Sequence, residues 1–159
     1  MTNSENDKVL MKTTKIASDT AFAGEIHSDG HVEIEGTLTG NVMAKGNIKI
    51  SGKVTGDVDG NLVSLVSCKV RGNVTAETSV FISDESVLVG NVTATDMVLD
   101  GKMKGDIALG NSILFHKNAM LLGKTAAGTI TIDEGAILTG KIRTKNISKN
   151  DSVFQSINE

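Results

Sequence analysis

Proline, tryptophan and tyrosine are all missing from this chain of 159 residues, and its only aromatic side chains are four phenylalanines. Without tryptophan or tyrosine there is little to stack on bases. A net charge of −3 also lacks the basic footprint of a nucleic-acid binder, so no nucleic-acid partner is expected. The single cysteine, Cys68, excludes an internal disulfide framework and every Cys-cluster metal site. No apolar run approaches the roughly 18 residues of a membrane-spanning helix. The first thirteen residues hold Glu5 and Asp7 and no apolar h-region, so no secretory signal is read there and a cytoplasmic location is expected. With 39% hydrophobic and 22% charged residues, the chain reads as one soluble globular domain.

What the chain does have is glycine, 17 residues of it, and the spacing is regular. Gly24, Gly40, Gly56, Gly72, Gly90, Gly105, Gly123 and Gly140 follow one another at intervals of 15 to 18 residues. Two residues before each marker stands a large apolar side chain: Phe22, Leu38, Val54, Val70, Leu88, Met103, Leu121 and Leu138. Two residues after it come Ile26, Val42, Val58, Val74, Val92, Ile107, Thr125 and Ile142, of which only Thr125 is polar. Farther upstream each unit carries an alternating pair: Thr14/Ile16, Val32/Ile34, Ile48/Ile50, Leu62/Ser64, Val80/Ile82, Met97/Leu99, Ile113/Phe115 and Ile130/Ile132. Four residues separate this pair from the next core position in units two, three and six, and six in the others, which reads as a two-residue insertion at one corner.

Alternation with a period of two places one set of side chains inward and the other outward. A unit of this length holds about three short strands, and glycine supplies corners that need positive φ. Such a unit buries no core alone; stacked units do. The expectation is therefore an all-β, single-domain parallel β-helix of about eight rungs and three faces over residues 14–146, with tails at 1–13 and 147–159. At roughly 4.8 Å per rung it is about 38 Å long. Variable unit length favours the right-handed form over a left-handed helix of strict six-residue repeats. The absence of proline agrees, because interior strands need every N–H for the ladder.

The rungs VEIEGTLTGNV, IKISGKVTGDV, MVLDGKMKGDI and ITIDEGAILTGKI resemble those of the bactofilins, a family of polymer-forming bacterial cytoskeletal proteins. The resemblance spans most of the chain. It implies a right-handed β-helical core that assembles end to end, without nucleotide, into non-polar filaments. It further implies a scaffold for cell-envelope or cell-shape enzymes and their regulators, and contact with the inner membrane through a short N-terminal segment.

The tips are the places where such a coil exposes unpaired backbone and a slice of core. Ile16, Phe22 and Ile26 on the first rung, Ile130, Ile132, Leu138 and Ile142 on the last, and Phe154 beyond it are the expected polymerisation residues. The alternative is that the tails fold over both ends. Between the inward pairs, Val63, Phe81, Val98 and Leu114 read as an outward apolar stripe, suited to a lateral contact, a partner, a membrane strip or one of the chain's own tails. Val9, Leu10 and Met11, beside Lys8 and Lys12, are the candidate membrane contact.

No catalytic, metal or cofactor site is read. His27 and His31 fall near one corner without a placed carboxylate, which makes a poor zinc site. Cys68, between Val66 and the cations Lys69 and Arg71, has no His partner at nucleophile spacing and reads as a structural thiol, though those cations would acidify it. Asp57, Asp59 and Asp106 read as a solvated acidic surface. No phosphate-binding Gly-rich loop precedes a helix, so no nucleotide is expected. Asn73-Val-Thr75, Asn91-Val-Thr93 and Asn146-Ile-Ser148 match the glycosylation pattern, but the first two share one repeat position, and repetition explains them better. Two other readings of the stacked columns remain: a left-handed hexapeptide-type acyltransferase, and a β-solenoid surface-binding module.

Overall fold

A computed structural model describes residues 12–144. Every regular element in that range is a β-strand, and the strands pair in parallel, each with its counterpart one rung away. The result is a β-solenoid of about eight turns, as the glycine spacing requires.

Three faces run its length. The first is built from β1 (Thr13–Ile16), β4 (His31–Ile34), β7 (Ile48–Ile50), β17 (Thr129–Ile132) and the later halves of β9 (Val58–Leu65), β11 (Val74–Ile82), β13 (Val92–Leu99) and β15 (Ile107–Phe115). The second comprises β2 (Ala21–Ala23), β5 (Thr37–Thr39), β8 (Lys53–Thr55), β10 (Lys69–Arg71), β12 (Val87–Val89), β14 (Lys102–Lys104) and the opening residues of β16 (Met120–Ala127) and β18 (Ile137–Thr144). β3 (Ile26–Ser28), β6 (Val42–Ala44), the first residues of β9, β11, β13 and β15, and the ends of β16 and β18 make the third.

The core is a stack of columns. Ile34, Ile50, Leu65, Ile82, Leu99 and Phe115 occupy one of them and have no accessible surface. Burial of each such side chain contributes roughly 1.5–3 kcal/mol, and the parallel ladder leaves each core residue above and below its own kind. Thr125 is the exception: it is buried in a Val/Ile column, with no partner for its Oγ1 among the described residues.

The corner between the second and third faces is set by glycine. All eight markers have φ between 137° and 151°, a region costly to any residue with a Cβ. A second constraint applies at Gly40 and every later marker: a Cβ there would overlap the carbonyl oxygen of the glycine one rung earlier. The corner between the first and second faces varies instead. Rungs one, five, seven and eight carry the two-residue insertion as a turn, in which Thr20, Ser86, Ala119 and Ala136 donate their N–H to Ala17, Ser83, His116 and Asp133. Rungs two, three and six turn directly at Gly36, Gly52 and Gly101.

Rung four departs from expectation. Its inward pair is Val63/Leu65, not Leu62/Ser64: Val63 pairs with Ile48 and Val80, and both Val63 and Leu65 are fully buried. A one-residue slip reverses the face of every side chain, and the observed register buries two aliphatic groups where the other would bury a serine hydroxyl. The connection to Val70 is thereby odd in length. It is closed by Ser67 at φ 51°, the one non-glycine residue with positive φ among those described, and it carries Cys68 inward.

Replacement of Gly90 by Ala is expected to lower stability by about 1–3 kcal/mol or more, since it meets both the positive φ and the Gly72 carbonyl. Gly110→Ala, whose Cβ would meet only the Thr95 Cα at 4.0 Å, an ordinary contact, is the control and should stay within about 1 kcal/mol of the parent. Urea unfolding followed by circular dichroism checks both; equal midpoints would remove the corner argument.

Candidate functional site

The two tips differ. At the C-terminal tip Ile132 and Ile142 are 47% and 46% exposed, and Ile130 and Leu138 are half-buried, so the last rung presents apolar inward positions to solvent. The first rung is mixed, with Ile16 and Ile26 buried and Thr14 and Phe22 exposed. Ile16 and Ile26 are buried members of the continuous core, stacked on Ile34 and Val42 of the second rung, and the expectation that they lie open is corrected. Phe22 remains at the surface, 41% exposed, its ring edge beside the space a Cβ at Gly24 would take. Phe154, and the proposed membrane contacts Val9, Leu10 and Met11, lie outside the described residues.

The outward stripe is shorter than the sequence suggests. Val63 is in the core, and Ser64 holds its outward place beside Phe81. Phe81 is exposed, while Val98 and Leu114, its successors in register on rungs six and seven, are half-buried. Ser64 and Thr131 bound this strip of three apolar side chains.

Beside the corner glycines runs a polar ladder that the sequence reading missed. Asn41, Asp57, Asn73, Asn91 and Asp106 each accept, through Oδ1, the backbone N–H of the corresponding residue in the next rung, at 2.9, 3.0, 3.0, 2.9 and 3.2 Å. The last donor is Lys124, which has no oxygen to continue it. The signal was the column immediately after each glycine. Asp57 and Asp106 are therefore structural acceptors rather than merely solvated acids, and Asn73 and Asn91 serve the same ladder.

The three histidines are engaged locally. His27 Nε2 lies 3.2 Å from Glu25 Oε1, and His31 Nδ1 accepts the N–H of Asn47 at 2.9 Å, so the two histidines are held by different partners. His116 Nδ1 faces Asp133 Oδ2 at 3.1 Å across adjacent rungs. No group of three or more metal-ligating side chains occurs among the described residues. Cys68 is buried beside Ser86, and desolvation pushes its thiol up to about 11, against the acidification that the neighbouring cations suggested. Lys69 and Arg71 point out on the second face, away from the inward Cys68.

One further surface was not anticipated. Val89, Met120, Leu122 and Ile137 are exposed on the second face. Met120-Leu121-Leu122 carried the signal, since an inward Leu121 requires both of its apolar neighbours to point outward.

The thiol assignment has a direct check. A thiol whose pKa is raised stays protonated until the pH approaches that higher value, so alkylation at pH 8 should run roughly a hundredfold slower in the folded chain than in urea. Equal rates would place Cys68 in solvent.

No helix among the described residues is long and apolar enough to cross a membrane. No curated protein and no solved structure matches the sequence significantly. A family model does: "Bactofilin: Polymer-forming cytoskeletal" matches residues 14–65 and 53–143, which together take in the stacked rungs and most of the chain. The repeating corner, the parallel solenoid and this match agree, and the chain belongs to the bactofilin family, a polymer-forming cytoskeletal family.

Proposed function

We propose that this chain is a scaffold that stacks end to end into nucleotide-independent filaments, with the apolar C-terminal tip as one contact. What carries the reading is the half-exposed set Ile130, Ile132, Leu138 and Ile142, an open end of core that a second subunit would cover. Parallel strands also leave unpaired backbone groups on the last rung, so one contact would extend both ladder and core. Phe22 supplies apolar surface at the opposite tip. The role is structural rather than catalytic: the histidines and the ladder acids Asp57 and Asp106 are tied to neighbours, and the thiol is buried and protonated.

Its clients are cell-envelope or cell-shape enzymes or their regulators, held on the strip of Phe81, Val98 and Leu114, which lies on the side of the rod and stays free when the tips are joined. The location that follows is cytoplasmic and peripheral at the inner membrane.

Electron microscopy of the purified chain without nucleotide tests assembly. Long uniform filaments are expected; trimers would favour an acyltransferase-like particle, and monomers a binding module. Leu138→Glu and Ile142→Glu should each abolish filaments and leave a soluble β-rich monomer, and filaments persisting in both would overturn the stacking contact. Phe81→Lys should leave filaments intact while reducing capture of envelope enzymes by the filament, and unchanged capture would remove the strip from the contact.

A further inference from the structure

The outer surface of the second face carries charge of one sign. Lys53, Lys69 and Lys102 point outward in one column, Arg71 and Lys104 in the other, and no outward position of that face holds Asp or Glu, although the chain contains 19 acidic residues. All five cations are exposed, and none makes an ion pair among the described residues. The flanking acids lie at the corners, Asp57 and Asp106 in the polar ladder on one side and Asp84, Glu85 and Asp100 on the other. Aliphatic side chains interrupt and extend the cations: Val89 stands between Arg71 and Lys104, and Met120, Leu122 and Ile137 continue the face over the last two rungs. These four are 39–53% exposed.

We propose that this face lies flat on an anionic lipid bilayer. The cations meet lipid phosphates, and Val89, Met120, Leu122 and Ile137 enter the boundary between headgroups and acyl chains. Cations alone would suit any polyanion. The aliphatic groups select a bilayer, because a soluble polyanion offers them no apolar phase, and no outward position of the face holds an aromatic ring on which bases would stack. A second copy is a poorer occupant. The third face, the most acidic available, has Asp57 and Asp106 committed to backbone N–H groups, leaves Asp59 as its outward carboxylate, and carries Lys124, Lys141 and Arg143 as well. Each basic group near an anionic surface strengthens binding roughly fivefold, and a filament repeats the face along its length, so weak single contacts add. The site is separate from Val9, Leu10 and Met11 and does not depend on the tip contact.

Flotation of the full chain with lipid vesicles tests the proposal, with electron microscopy of the same samples reporting assembly independently. The parent should float with vesicles containing phosphatidylglycerol and not with pure phosphatidylcholine. Lys102→Glu/Lys104→Glu should reduce the floated fraction at least about tenfold, and Lys53→Glu/Lys69→Glu, farther from the C-terminal tip, should do the same with filaments intact. Met120→Ser/Leu122→Ser should also weaken flotation. The proposal is overturned if the parent ignores anionic vesicles, if both charge variants float like the parent, which would assign binding to another segment, or if the serine variant is unaffected, which would make the face a site for a soluble polyanion. Filament bundles that separate in the charge variants, without any vesicle binding by the parent, would make it a lateral contact between copies.

Discussion

Each rung of this molecule lies so close to the next at one corner that nothing larger than hydrogen fits between them. Stacked carbonyl oxygens fill the space where a Cβ would sit at Gly40 through Gly140, and the backbone there adopts a φ that only glycine takes without strain. The neighbouring column turns this closeness into direction. Asn and Asp side chains accept the N–H of the rung above, from Asn41 up to Lys124. Steric exclusion fixes the rise at the corner and hydrogen bonds fix the register. The inward columns follow from both, since a strand that leaves each corner in register must place its alternate residues over those below.

Because the interior demands the same residue class at every level, little room is left there for specific chemistry. Polar groups inside are few: Ser86 is satisfied by its neighbours, and Thr125 is left with its hydroxyl unmatched. The outward columns carry no such demand, and there the rungs diverge. The first face turns apolar over rungs five to seven, the second gathers cations and aliphatics, and the third carries acids toward one end and cations toward the other. Among the described residues, recognition then falls to the outward faces, their shallow grooves and the tips. That suits polymer contacts and extended partners better than the enclosure of a small substrate.

The two ends show how far local pattern carries. Ile16 and Ile132 occupy the same column and look equivalent in the sequence, yet Ile16 is buried and Ile132 is about half exposed. Equal residue types at equal repeat positions do not guarantee equal accessibility once translation stops. Rung four makes a similar point, because Leu62-Val63-Ser64-Leu65 fits the alternation in two registers. Only pairing with Ile48 and Ile50 on one side and Val80 and Ile82 on the other decides between them.

The amino-acid order by itself determined the architecture: glycine spacing set the number of turns, alternation set the inward columns, and the rung motifs pointed to the family. These are short-range properties, repeated often enough that one ambiguous unit cannot hide them. The tertiary structure alone decided the register of rung four, the burial of Ile16 and Ile26 on the first rung, the inward turn of Cys68, and the gathering of Lys53, Lys69, Arg71, Lys102 and Lys104 on one surface. Those depend on residues 15 to 18 positions apart becoming neighbours about 4.8 Å away, a proximity that exists only after the coil has closed.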